Sequence, residues 1–338
     1  MEITSGKPAD TAGVNQKTAR LSWVDMARGF AVLLVMIGHS GAPKILVNWL
    51  YLFHIPLFFF LSGYVFKWEK HRDLKQFIRS RCYGLLIPSL TLGAITTLFN
   101  LIFSSIDVNT IWFRLLGALI QLRGGQFKMG LWFVTCLFVT ELLFWCMMRF
   151  LKKPRRVIAA LAVCSVVGYL YVQLIGKIVP WSLDVMCISV GFFGAGYFCA
   201  NNYLAVFDKM SRISLAPLYF AVTASVLFIN ELLNQKIDMY MDKFGIYPLF
   251  YIGAFAGILM AVGVFKALPP LRPLVFLGRN TLAYYAIHII YFRLFRMFLP
   301  FDNWAVDVSL AAILLAPTAV LLNKFLPVIV GKGKTRAR

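Results

Sequence analysis

Apolar runs of about 20 residues recur along the chain, separated by shorter polar stretches that are mostly basic. A helix needs about 20 predominantly apolar residues to cross the hydrocarbon core of a bilayer. Read at that length, the pattern predicts ten spanning helices. They are Trp23–Ser40, Trp49–Phe66, Leu85–Phe103, Gly130–Phe150, Val157–Lys177, Leu183–Ala200, Ile213–Leu232, Ile246–Phe265, Leu274–Phe298 and Val306–Val328. Thr110–Leu122 is apolar but too short to span, and is expected as an interfacial or re-entrant helix. Residues 1–20 are polar and expected to be disordered, residues 21–330 form one membrane domain, and residues 331–338 a short basic tail. The first run holds Arg28 and is not followed by a clean small-x-small site, so it reads as a retained helix rather than a cleaved signal.

Composition agrees with the pattern. The 338 residues are 60% hydrophobic and 14% charged, with mean hydropathy +0.75. Soluble domains are nearer 45–50% apolar and about 25% charged, so a soluble enzyme is excluded. The net charge of +20 has two readings, nucleic acid or membrane topology. With the N-terminus inside, 24 Lys and Arg fall on the cytoplasmic side and 9 outside, and Arg28 lies within a span. That bias is what the positive-inside rule requires. It predicts an all-α integral membrane protein with both termini cytoplasmic, and it leaves nucleic-acid binding without support. Six Cys are scattered through apolar stretches with no CxxC and no Cys/His cluster, so neither a disulfide framework nor a metal site is expected.

Ionisable residues inside spans are costly, about 2.5–3.5 kcal/mol for Arg at mid-helix, and mark sites. Here they are Asp25, Arg28, His39, His54, Glu141, Asp184, Arg279 and His288. Arg28 and His39 are eleven residues apart on the first helix. At about 100° per residue that is close to three full turns, so they share one face, about 16 Å apart along the axis. Asp25 lies one turn before Arg28 on the same stripe. His39, His54 and His288 all fall in the outer half of the membrane, whereas His71 lies in a basic loop and is expected to be solvated. Asp184, near a helix end, and Glu231, Asp238 and Asp242, on an outer loop, are likewise expected to be ordinary solvated or structural groups.

Five segments carry a resemblance. Trp23–Ser40, with Arg28, ten residues and then His39, resembles the first helix of the acyltransferase-3 family of integral-membrane acyltransferases. Phe53–Tyr64 (FHIPLFFFLSGY) resembles its second helix, particularly in the branch related to fucose 4-O-acetylases. Phe77–Pro88, Leu131–Val134 and Leu277–His288 are similar to its later elements, in family order. The resemblance implies a membrane-embedded O-acyltransferase of a bacterial-type inner membrane. Such an enzyme moves an acyl group, most often acetyl, from cytosolic acetyl-CoA to a hydroxyl of a cell-surface polysaccharide or its lipid-linked precursor. Acyl-CoA is then a substrate, and no tightly bound cofactor is implied. Membrane lipid surrounds the site.

On that reading His39 is the general base, Arg28 holds the donor arm, and Glu141 or His54 orients His39. Arg79, Arg81 and Arg279 are placed to meet the donor's phosphates. Asn280, His288, Ser62, Tyr64 and Trp132 complete the candidate binding residues. The alternative from another class is a transporter or flippase of a lipid-linked sugar, which also places ionisable residues at mid-membrane. Against it, the sequence has no internal repeat and no pair of broken helices in matching positions.

Overall fold

Proline positions set many of the helix boundaries. Pro154, Pro217, Pro248 and Pro273 each sit in the first two residues of a helix, where the missing N–H has no intrahelical partner to lose. A computed structural model describes residues 21–103, 113, 116–117, 120–123, 131–201, 203, 206–299 and 303–332, without the side chains of 100 and 101. Its helices are α1 (Ser22–His39), α2 (Lys44–Tyr51), α3 (His54–Tyr64), α4 (Leu74–Arg81) and α5 (Ile87–Phe103). They continue with α6 (Trp132–Leu151), α7 (Pro154–Leu174), α8 (Leu183–Ala200) and α9 (Ala216–Leu232). The last four are α10 (Tyr247–Ala267), α11 (Arg272–Arg279), α12 (Thr281–Phe298) and α13 (Trp304–Phe325). A two-residue antiparallel hairpin, β1 (Ile237–Asp238) with β2 (Lys243–Phe244), is the exception to the all-α pattern among the described residues.

Eight segments of the described residues are long and apolar enough to cross a membrane. α1 and α12, 18 residues each, are not among them. α1 matches the first expected span and α12 the outer part of the ninth, but Asp25, Arg28 and His39 dilute the one, and His288, Arg293 and Arg296 the other. The two helices that fall short of the apolar criterion are thus two that carry predicted site residues. α5, α7, α9 and α13 expose Leu, Ile, Val and Phe, as lipid-facing helices do. α1, α3, α8 and α10 form the interior. Most of Thr110–Leu122, the tail 1–20 and residues 333–338 lie outside the described residues.

Three expected spans are built differently. The second is broken at Leu52–Phe53 into α2 and α3. Pro56 explains the break: its ring would clash with the carbonyl four residues back, at Leu52. The third begins earlier, as α4, and passes through a π-helical turn at Cys82–Leu86 into α5. Pro88 cannot donate to Gly84, so the ladder slips by one residue there. The ninth is two helices, α11 and α12, joined at Asn280.

α1 and α11 approach closely because glycines face backbone. A Cβ on Gly29 would lie 2.1 Å from the Leu274 carbonyl oxygen, and one on Gly278 would lie 1.8 Å from that of Asp25. α3 and α8 meet by the same device, Gly63 against Phe193 and Gly196 against Phe60. These seams fix the registers of the helices that carry the site.

Candidate active site

α1 bears two polar clusters on one face. At its Arg28 end, Asp25 is buried and accepts from Arg279 Nε at 3.2 Å. Arg28, one turn on, is half-buried. Glu141, in the middle of α6 and buried, pairs with Arg81 at 2.5 Å. Arg81 and Arg28 are the cations acting on its carboxylate. The Arg81 guanidinium also lies 5.7 Å and 5.6 Å from the ring centroids of Phe66 and Phe77, within cation–π range. Arg81 Nη2 donates to His71 Nε2 at 3.2 Å. Burial, then the charges of Arg81 and Lys70, push His71 down to about 4. His71 is therefore a neutral, packed acceptor rather than a solvated loop residue.

The neighbouring candidates are held within the protein. Asn280 Nδ2 donates to Phe276 O at 2.8 Å, and its Oδ1 accepts from Asn323 at 2.6 Å and Lys332 Nζ at 2.9 Å. Its amide ties the α11–α12 junction to α13 and the residues beyond. Arg79 is exposed on α4. Ser62 and Tyr64 are half-buried near the end of α3, and the Tyr64 ring meets Trp23 edge-on at 5.0 Å.

The His39 end is different in kind. His39 is exposed at the last residue of α1, and its ring centroid lies 5.4 Å from that of His288. His54 and His288 are both buried. His54 Nδ1 bonds Leu50 O at 2.8 Å, and His288 Nδ1 bonds Tyr284 O at 2.9 Å. A carbonyl only accepts, so Nδ1 carries the proton in each and Nε2 presents a lone pair. His288 Nε2 is buried with no hydrogen-bond partner in the structure. A cavity of about 240 Å³ lies here, with His39, His54, Tyr51, Trp132 and Tyr285 among its walls. Asp238, Met239 and Tyr240, from the hairpin β1–β2 and the turn within it, close it on another side. A second hollow of about 480 Å³ begins at His39 and runs past Phe292, Arg293 and Arg296.

The hairpin is not the solvated acidic loop expected from sequence. Arg123, 2% exposed, reaches Asp184 at 2.6 Å, both oxygens of Asp242 at 2.9 Å, and Met239 O at 2.8 Å. Asp184 also accepts from the backbone of Val179 and Val185, both at 2.8 Å. Burial raises the Asp242 carboxyl, Arg123 opposes it and Asp184 adds to it, leaving it at about 6. Among the described residues no cluster of His, Cys, Asp and Glu is arranged to hold a metal ion.

A family model described as an acyltransferase domain matches residues 21–324, from α1 into α13. The chain belongs to the acyltransferase-3 family. The match does not resolve the fucose 4-O-acetylase branch. No curated protein and no solved structure matches the chain. This multi-pass membrane acyltransferase-family protein thus places His39, His54, His288 and Trp132 together. Arg28, Glu141, Arg81, Arg279 and Asn280 lie toward the other end of α1. Glu141 stands with Arg81 and Arg28 rather than with His39. Sequence reasoning missed Arg123 and the cavity-lining Asp238 and Tyr240. The available signal was that Arg123 is one of only nine basic residues on the side the charge count makes external, where basic residues are sparse.

Proposed function

We propose that the protein is an O-acyltransferase that takes an acyl group, most often acetyl, from acyl-CoA in the cytosol. The acceptor is a hydroxyl of a cell-surface polysaccharide or its lipid-linked precursor, at the opposite membrane face of a bacterial-type inner membrane. The observation that carries this reading is the cavity lined by His39 and His54 at the far end of the Arg28 face, with the His288 ring 5.4 Å from that of His39. A polyanionic donor requires cations, and Arg28, Arg79, Arg81 and Arg279 supply them on one side. The donor's pantetheine arm, extended, is comparable in length to the separation of Arg28 and His39, about 16 Å along α1.

His39 is the general base on this reading. Its imidazole takes the hydroxyl proton as the oxygen attacks the thioester carbonyl. The C–O bond forms, the C–S bond breaks, and the proton passes from the imidazolium to the leaving thiolate. His54, with its Nδ1 fixed on Leu50 and its ring on the same cavity, takes the orienting role better than Glu141 does. The wall of aromatic rings around His39 suits the apolar faces of a sugar ring.

The test uses purified protein in proteoliposomes with labelled acyl-CoA inside and a glycan acceptor outside. Acyl-CoA-dependent appearance of one acyl group on the acceptor is expected, and is lost in His39→Ala while donor binding persists. Failure of the native protein to consume any acyl-CoA, with transmembrane movement of a sugar lipid instead, would replace the reading with transport.

A further inference from the structure

One buried cation ties the roof of the cavity to the body of the protein. The Arg123 side chain has 0% exposure, and it joins three parts of the chain. It binds Asp184 at the start of α8, Asp242 in the hairpin, and the carbonyl of Met239, itself a cavity wall. Its guanidinium carbon also lies 5.7 Å from the ring centroid of Trp132, another wall. The anchor under it is firm. Gln121, two residues earlier, accepts from Thr135 of α6 at 2.9 Å, and its carbonyl accepts from Trp181 N at 3.2 Å. On the roof, Asp238 is turned toward the cavity and accepts from Tyr240 N at 3.0 Å.

A guanidinium buried with its carboxylates lasts only if each partner stays, since a lone charge left inside is strongly destabilising. The hairpin by itself is two residues long on each strand and has little holding power. Ile237, Met239 and Phe244 are buried in the core and seat its strands, and the clamp ties its acidic turn to the start of α8.

We infer that Arg123 is a positioning residue. It holds the hairpin Ile237–Phe244 as a roof over the His39 cavity, so that Asp238 and Tyr240 select what enters from that side and water is kept out on that side. The roles of entrant and water rest on the acyl-transfer reading; the clamp itself does not.

The experiment has two arms. In the first, Val35→Cys places a thiol on the α1 wall of the cavity, where Val35 is 3% exposed. A charged maleimide is added to the detergent-solubilised protein, and labelling is read by peptide mass. Native Cys199, buried near the other end of α8, reports on general loosening. Arg123→Gln should speed labelling at position 35 about tenfold or more, the scale expected when a buried charge loses its partner, and leave Cys199 unchanged. Asp242→Asn, which keeps the Arg123–Asp184 pair, should give a smaller increase and carries the test if Arg123→Gln does not fold. Equal acceleration at both thiols, or none at position 35 in a folded variant, overturns the inference.

The second arm measures transfer. The acceptor KM should rise about tenfold or more and acceptor-independent acyl-CoA hydrolysis should increase, with the donor KM unchanged. Arg123→Lys should recover part of this, because the charge survives without the fork. A parallel rise in the donor KM would mark a merely structural residue and overturn the positioning role. Selective labelling in a protein that transfers no acyl group would uphold the clamp and remove the acyl-transfer reading instead.

Discussion

The two polar clusters on α1 differ in how they spend their charge. At the Arg28 end, full charges are met by full charges: Asp25 by Arg279, Glu141 by Arg81. At the His39 end there are imidazoles: His54 and His288 are fixed through Nδ1, and His288 Nε2 is buried with no hydrogen-bond partner. Ion pairs in a low-dielectric surround hold position and exchange protons poorly. An imidazole accepts a proton at its lone pair and returns it near neutral pH. The difference teaches a division of labour: one end suits gripping, the other suits proton transfer, and a single helix spaces them.

The largest expected effect attacks that division directly. His39→Ala should lower acyl transfer by about 10²–10⁴-fold while leaving acyl-CoA binding nearly unchanged, because a general base acts in the transition state. Arg28→Ala should weaken donor binding as well as rate. Equilibrium donor binding and single-turnover rates on folded protein separate the two; a matched loss of donor affinity in His39→Ala would break the comparison. Inserting one residue after Leu34 turns His39 about 100° away from Arg28 and should be as damaging as His39→Ala.

Next comes the paired end. Arg81→Ala leaves Glu141 buried without its partner and should cost about 3–5 kcal/mol of stability, read as a lower thermal midpoint in detergent. Arg81→Ala with Glu141→Gln should recover much of that. If the double variant is no more stable than Arg81→Ala, the pair is not what holds this end.

A smaller effect is expected at Gly278. Gly278→Ala puts a Cβ against the Asp25 carbonyl, so α1 and α11 must separate or the variant must be destabilised, by about 1–3 kcal/mol as in other overpacked sites. The smallest is a pH effect at His71. Its folded value of about 4 lies below the ordinary 6.5, so nothing is lost above 6.5. As pH falls from 6.5 toward 4 the unfolded chain takes the proton first, and stability declines. His71→Gln should flatten the dependence of the thermal midpoint on pH across that window.

How much of this was legible in the sequence follows from what a one-dimensional pattern records. Helix existence was, because apolar length and periodicity are local. The shared face of Asp25, Arg28 and His39 was, because helical geometry fixes it. The breaks at Leu52–Phe53 and Asn280 were not seen, because long apolar runs masked the punctuation at Pro56 and Asn280. Glu141 was legible as a buried carboxylate but not in its partner, since Arg81 comes from a helix 60 residues earlier. Asp184 and Asp242 read as ordinary end and loop groups for the same reason: their partner Arg123 is far away in sequence.

The unbroken run of α1 bears on which donors suit the acyl-transfer reading. Arg28 and His39 sit on one helix, so the distance between them is a constant of the molecule, and Gly29 and Gly278 fix where that helix stands against α11. α1 is then a ruler. On the acyl-transfer reading, a donor gripped at one end delivers its thioester to the imidazoles only if its arm has the matching length. Discrimination among carriers can thus come from a rigid measure of reach, without any residue that recognises the arm itself.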